Sequence, residues 1–276
     1  MGIGFHELCF LSFCLKEKEP KTLATIGRQE NHINFNQYKK IFNKDIKHLI
    51  DEKYSDNLLK AQIGLSKIES FDVSSKDNPS KISDFNKNLK FLEKFDVFFD
   101  GGSLQNIFNI PVALKNISNN TKIGGTIIHV TAANNFCGLG FYQFAPEFFL
   151  NYYSEENGFK NTKIFVVNCD QEKYWFQLNN KNHNNYPINV NTSERLLCLV
   201  KTEKIEDKEI KSIFQKQFMH DSKDKQTMSD SKNNNVLKKI LGKIYFKVIL
   251  LVSFICRNCQ LNANPNFKKI KISDLI

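Results

Sequence analysis

Three aspartates stand where apolar runs stop. Asp72 closes Ile68-Glu69-Ser70-Phe71, Asp84 follows a weaker run over 79–82, and Asp100 closes Phe95-Asp96-Val97-Phe98-Phe99 ahead of Gly101 and Gly102. A carboxylate just beyond a strand can accept from both hydroxyls of a ribose, which makes Asp72 a candidate to hold a nucleotide. Each acid alone is as readily a solvated loop carboxylate; three at successive strand ends are harder to read that way. Gly27 ends a further run, Thr22-Leu23-Ala24-Thr25-Ile26, with Arg28 beside it. One glycine there supplies one positive-φ residue or one close approach of backbone to ligand, not a full cradle.

Such residues act together only if their strands all end on one side. Phe95 to Asp100 reads as a strand. Leu104, Ile107, Phe108, Ile110, Ala113, Leu114 and Ile117 follow at helical spacing, then Lys122-Ile123-Gly124-Gly125 as a tight turn and Thr126 to Thr131 as a second strand. Strand, helix and strand at this length make a βαβ unit with a parallel pair. Ligands of such sheets bind beyond the carboxyl ends of the strands, here at Asp100-Gly101-Gly102 and Ala133-Asn134-Asn135. Elsewhere the pattern predicts a helix over 5–15 broken by Pro20, a strand at 22–26, helical periodicity over 34–63 with Gly64 as C-cap, and strands at 68–72 and 79–82. It further predicts a helix over 144–157, strands at 163–169 and 194–201, and a polar loop over 179–186.

The acid-ended strand, the helix behind it and the Lys122-x-Gly124-Gly125 turn resemble the second half of class I S-adenosylmethionine-dependent methyltransferases. The run Asn134-Asn135-Phe136-Cys137-Gly138-Leu139-Gly140-Phe141-Tyr142-Gln143-Phe144-Ala145-Pro146-Glu147 resembles, more particularly, a bacterial subgroup of uncharacterised methyltransferase-like proteins. The resemblance covers 21–203. It implies an α/β, Rossmann-like fold: a seven-stranded, mostly parallel sheet with an antiparallel last strand and helices on both faces. It implies S-adenosyl-L-methionine as cofactor, held by Gly27, Arg28, Asp72, Asp84, Phe85, Asp100 and Gly101, with Asp84 on the adenine amino group and Phe85 against the ring. Asn134, Asn135, Phe141, Tyr142 and Gln143 would line the side of a small-molecule or saccharide acceptor.

Methyl transfer from a sulfonium is an in-line displacement from an activated donor. Holding the partners in line and excluding water suffices, so no catalytic residue is named. The chain departs from the family at three places. Its first loop has one glycine. Leu104-Gln105-Asn106 stands where family members often carry Leu-Glu-His, and Leu139 stands between Gly138 and Gly140 where they often carry His. Two proton-handling groups are thereby missing. That leaves a methyltransferase whose acceptor needs no base, or a catalytically inactive binding or scaffold protein of the same fold.

With 276 residues the chain can bury a real core. Its formal net charge of +10 speaks to solubility and attraction to anionic partners rather than to fold. No aromatic-basic platform accompanies that charge and the acids sit at the pocket, so nucleic acid is not the expected partner. Seven cysteines, an odd number mostly inside apolar runs, predict reduced thiols and a cytoplasmic compartment. Cys256 and Cys259 lack a second pair to complete a tetrahedral site, so no metal is expected. His129, inside a predicted strand, reads as a core histidine. The predicted organisation is a cap helix (1–20), a methyltransferase-like domain (21–203), a charged linker (204–235), and a basic amphipathic helix and tail (236–276). The unbroken apolar core of that last segment, 248–256, falls short of the roughly 20 residues a span needs. Residues 236–261 would therefore dock on the domain or lie peripherally at the inner membrane.

Overall fold

Apolar side chains on both sides of most strands require a sheet covered on both faces. The computed structural model, which describes residues 2–42, 46–179, 190, 192–210, 261–262, 264 and 266–276, has that architecture. In chain order the elements are β1 (Gly2–Ile3), α1 (Phe5–Leu15), β2 (Thr22–Ile26), β3 (Glu30–Asn31), α2 (Phe35–Lys39), α3 (Lys47–Ile50), α4 (Asp56–Ile63), β4 (Lys67–Asp72), β5 (Lys81–Ile82) and β6 (Phe95–Asp100). Then come α5 (Ile110–Asn119), β7 (Thr121–Asn134), α6 (Pro146–Tyr152), β8 (Phe159–Asn168), β9 (Tyr174–Leu178), β10 (Leu196–Lys204) and β11 (Phe267–Lys271). Among the described residues, nine strands form one sheet in the order β5-β4-β2-β6-β7-β10-β8-β9-β11, and β1 pairs separately with β3. Strands β5, β4, β2, β6 and β7 run parallel. Strand β10 is antiparallel to both β7 and β8.

Side chains alternate between two cores. Phe98, Ile127, Val166 and Cys198 face α5 and α6; Phe99, Ile128, Phe165 and Leu199 face α1 and α4. Helix α1 lies against the second face. Phe10 and Phe13 meet Phe165 edge-on, with centroids 5.8 and 5.6 Å away, and Phe10 meets Trp175 at 5.5 Å. The fully buried rings of Phe10, Phe165 and Trp175 each contribute about 1.5–3 kcal/mol by removal from water.

The seven expected strands are present, and β9 and β11 extend the sheet beyond β8. Strand β11 lies within the range expected to be tail, so the sheet is not complete by Lys201. Residues 211–260, including Cys256, Cys259 and the expected helix over 236–261, fall outside the described residues apart from Leu261, which is buried.

The helical periodicity over 34–63 resolves into α2, α3 and α4. The break has a cause: the chain must return to β3, where Asn31 N donates to the Lys53 carbonyl at 2.8 Å and the Asn31 amide donates to the Leu49 and Ile50 carbonyls that end α3. The helix expected from Leu104 is a single 3-10 turn over Leu104–Asn106, and α5 starts at Ile110 with Pro111 in its first turn. Strand β7 is longer than expected because it begins before the glycine turn. Its register with β6 jumps from Phe95 opposite Thr121 to Val97 opposite Thr126, so residues 122–125 loop out as a bulge.

Candidate functional site at the carboxyl ends of the strands

The strand order reverses between β2 and β6, and ligands of open α/β sheets bind at such a switch point. Gly27, with φ of 74°, turns the chain out of β2 there. Two residues on, Gln29 folds back and closes the gap between the two strand ends. It is 2% exposed, and its Nε2 donates to the Ile26 and Gly27 carbonyls, both at 3.0 Å. Ser103 Oγ also donates to the Ile26 carbonyl, at 2.5 Å. A Cβ at Gly101 would lie 2.5 Å from Gln29 Oε1 and 2.9 Å from the Phe99 ring. The space beside Gly101, expected to hold cofactor, is therefore filled by the protein's own amide. Gln29 Oε1 itself is buried without a hydrogen-bond partner. Nothing in the sequence around Gln29 signals this role.

Asp72 and Asp84 keep partial access to water. Each uses one oxygen to fix its own turn: Asp72 Oδ1 accepts from Ser74 N at 2.9 Å, and Asp84 Oδ1 accepts from Asn86 N at 3.0 Å. Those bonds, with Lys87 3.6 Å from Asp84, hold the Asp84 carboxyl below the usual carboxylate range. Phe85 is buried in the first core, edge-on to Phe98. Arg28 straps the ends of β2 and β4 together. Its guanidinium pairs with Asp56 at 2.9 Å, lies 4.0 Å above the Tyr54 ring and donates to the Asp77 and Asn78 carbonyls. Beside the strap lies a cleft of about 590 Å³ lined by Lys53, Tyr54, Ser70 and Asn78 among others.

Asp100 is wholly buried, as is His129, which faces it across β6 and β7. Asp100 Oδ1 accepts from Ser103 N and Leu104 N at 2.8 and 2.9 Å. Its Oδ2 lies 3.0 Å from His129 Nδ1, and His129 Nε2 lies 2.7 Å from the Tyr153 hydroxyl. With Asp100 ionised, Nδ1–H donates to the carboxylate and Nε2 accepts from the hydroxyl. Burial pushes the Tyr153 hydroxyl well above its usual range, with Tyr152 and Asp100 adding to it. Sealed from water, the three groups tie β6, β7 and the end of α6 together. The expected 144–157 helix is shorter, Pro146–Tyr152, and Tyr153 caps it; the partner of its hydroxyl could not be read from spacing.

Of the expected acceptor-side residues, Phe141 and Tyr142 are held by Gln105. Its carbonyl accepts from Phe141 N and Tyr142 N at 2.8 and 3.2 Å, its Nε2 donates to the Leu139 carbonyl, and its Oε1 accepts from Ala132 N. Gly140, at φ of 126°, permits the approach: a Cβ there would lie 2.9 Å from the Gln105 carbonyl oxygen. Gln143 Oε1 accepts from Phe136 N, and Asn135 Nδ2 donates to the Thr192 and Glu194 carbonyls. Asn134 closes β7 opposite Leu196. The loop after β7 is thus braced, with Phe141 exposed at its surface.

With β9 and β11 set aside as additions at the edge, the seven strands from β5 to β8, ranked among themselves by sequence, stand in the order 3-2-1-4-5-7-6, and β10 alone of these seven is reversed. This is the fold of the class I S-adenosylmethionine-dependent methyltransferases. No family model and no curated protein sequence matches the chain. Solved structures of similar fold include the N-methyltransferase NodS from Bradyrhizobium japonicum, 10% identical, covering 71% of this chain and 93% of NodS at a TM-score of 0.42. The YcgJ protein from Bacillus subtilis is 9% identical, over 73% of this chain and 100% of its own, at 0.43. Phosphoethanolamine N-methyltransferase 2 from Haemonchus contortus, solved with S-adenosyl-L-methionine, is 11% identical over 72% of this chain and 52% of its own, at 0.44. These are likenesses of fold; the assignment rests on the strand order. No helix among the described residues is long and apolar enough to cross a membrane.

Proposed function

We propose that this chain binds S-adenosyl-L-methionine across the carboxyl ends of β2, β4 and β5 and transfers its methyl group to a small or glycan-linked acceptor in the bacterial cytoplasm. The observation that carries the reading is the strand order with Asp72 and Asp84 left in reach of water at two adjacent strand ends. The donor set suits the cofactor. Asp72 Oδ2, without a protein partner among the described residues, would accept from the ribose hydroxyls, and Asp84 from the adenine amino group, with Phe85 packed in the core behind it. Gly27 gives the backbone its close approach. The orphaned Gln29 Oε1 suits an N–H of the cofactor's amino-acid end, since a buried acceptor without a donor is costly until one arrives. Asp100 and Gly101 act behind this surface, the one fixing the turn after β6 and the other admitting Gln29; Arg28 steadies the loop. The cofactor supplies the activated methyl group; the chain's residues bind, orient and exclude water, with Asn134, Asn135, Phe141, Tyr142 and Gln143 on the acceptor side.

A second reading, a catalytically inactive binding or scaffold protein, is favoured by one observation. Asp100 and His129, the acid–base pair at these strand ends, are sealed in the core, and Gln105 is spent on bracing backbone. Thermal unfolding with and without S-adenosyl-L-methionine separates the readings. A cofactor that binds only the folded chain raises its Tm in proportion to the logarithm of concentration above Kd. Methyl transfer further requires label from methyl-tritiated cofactor to appear in an acceptor fraction; a Tm that rises without transfer supports the binding reading, and an unmoved Tm removes the cofactor from both.

A further inference from the structure

Three of the large apolar side chains exposed among the described residues meet on one rim. Phe108 is 73% exposed, Phe141 69% and Leu139 53%. Phe108 follows β6 and the other two follow β7, yet the Phe108 and Phe141 rings pack edge to face, 6.1 Å apart. The rim is built rather than loose. Tyr142 Oη donates to the Phe108 carbonyl at 2.8 Å, and Gln105 holds the backbone of Leu139, Phe141 and Tyr142. Leu139 N donates to the Phe136 carbonyl at 3.0 Å, and Asn109 N to Asn86 Oδ1 at 3.0 Å. With those backbone groups satisfied inside the protein, the loops present apolar side chains outward at little polar cost, as an apolar medium demands.

The charge around the rim has one sign of bias. No Asp or Glu occurs between Asp100 and Glu147, the stretch that supplies all three side chains. Lys87 and Lys90 are exposed on the segment that Asn86 pins beside Phe108, and Arg195 lies 5.9 Å from the Phe136 ring. Lys87 pairs with Asp84 and Arg195 with Asp170, both at 3.6 Å, and both cationic side chains remain more than half exposed. Protruding aromatic tips flanked by basic residues match the interface of an anionic bilayer, where rings enter the headgroup layer and cations meet lipid phosphates.

We infer that the rim of Phe108, Leu139 and Phe141 docks this protein on anionic lipid surfaces. The rim would then lie at the interface with the carboxyl ends of β6 and β7 toward the lipid. The inference does not depend on cofactor binding.

Cosedimentation of the full chain with vesicles of phosphatidylglycerol and phosphatidylcholine in equal parts tests it. Wild-type protein should pellet with these vesicles and bind pure phosphatidylcholine more weakly. Phe108→Ser/Phe141→Ser should weaken binding at least about ten-fold, from the loss of two inserted rings. Both side chains are exposed, so the variant's unfolding temperature should match wild type. The basic stretch 236–261 could also draw the chain to vesicles, so depth is read separately: brominated lipid should quench the added indole fluorescence of the Phe141→Trp variant. Undiminished binding by the double variant, no binding by wild type, no quenching of that added fluorescence, or a wild-type dimer that the double variant abolishes without any vesicle binding would each overturn the inference.

Discussion

A strand-end acid does different work according to whether water reaches it. Asp72 is partly accessible, and among the described residues its Oδ2 has no partner; on the proposed function, Asp72→Ala should weaken S-adenosyl-L-methionine binding about ten- to a hundred-fold, from loss of a charge-assisted bond of about 1.5–3 kcal/mol. Equal affinity for variant and wild type would remove Asp72 from the site. Asp100 looks the same in the sequence but is sealed against His129 and Tyr153. His129→Ala leaves Asp100 Oδ2 buried without its partner and opens a cavity beside it, and should cost about 3–5 kcal/mol in urea unfolding; a loss under about 1 kcal/mol would show that the network does not hold the fold. Here the sequence was half legible. It located the acids, and it read His129 as a core residue. It could not show which acid is sealed, because burial is decided by residues far away in the chain, such as Tyr153. Gln29 was illegible for the same reason, its contacts being with Gly101 and the strand ends rather than with a pattern of neighbours.

Elements were more legible where one face is buried along their whole length. Helix α1 matches the expected 5–15 because eight of its residues are buried, and β2 and β6 match because central parallel strands bury large apolar side chains on both faces. The break-up of 34–63 was not legible, since the periodicity of three short helices resembles that of one long one. Nor were β9 and β11, which pair across a long stretch of chain. Helix α1 also carries a pH dependence. His6 Nδ1 accepts from Trp175 Nε1 at 3.1 Å, and burial lowers the His6 pKa to about 4. Its folded pKa lies below the unfolded 6.5, so the unfolded state takes up a proton first as pH falls. The contribution of neutral His6 is complete above about pH 6.5 and is lost toward pH 4, by about 3 kcal/mol. His6→Gln should flatten unfolding free energy across that window; a wild-type slope in the variant would assign it elsewhere. Strand β11 closes the sheet edge and brings in Phe267 and Ile272, both buried. Deleting 266–276 should lower Tm by about 5–10 °C, and an unchanged Tm would make β11 an ornament of the edge.

At the scale of the whole molecule, the groups proposed to meet ligand stand together at one end of the sheet. The partly open acids, the orphaned Gln29 oxygen and the apolar rim all stand at the carboxyl ends of strands, while both faces are closed by helices. The place of the acids was legible from the βαβ unit, because ligands of such parallel sheets bind beyond the carboxyl ends of the strands; the Gln29 oxygen and the rim were not. Calorimetric titration of the full chain with S-adenosyl-L-methionine tests the central claim most directly. The account predicts a saturable heat with close to one site per chain and a dissociation constant in the micromolar range. Absence of any binding heat at millimolar cofactor, with the chain folded, would contradict it.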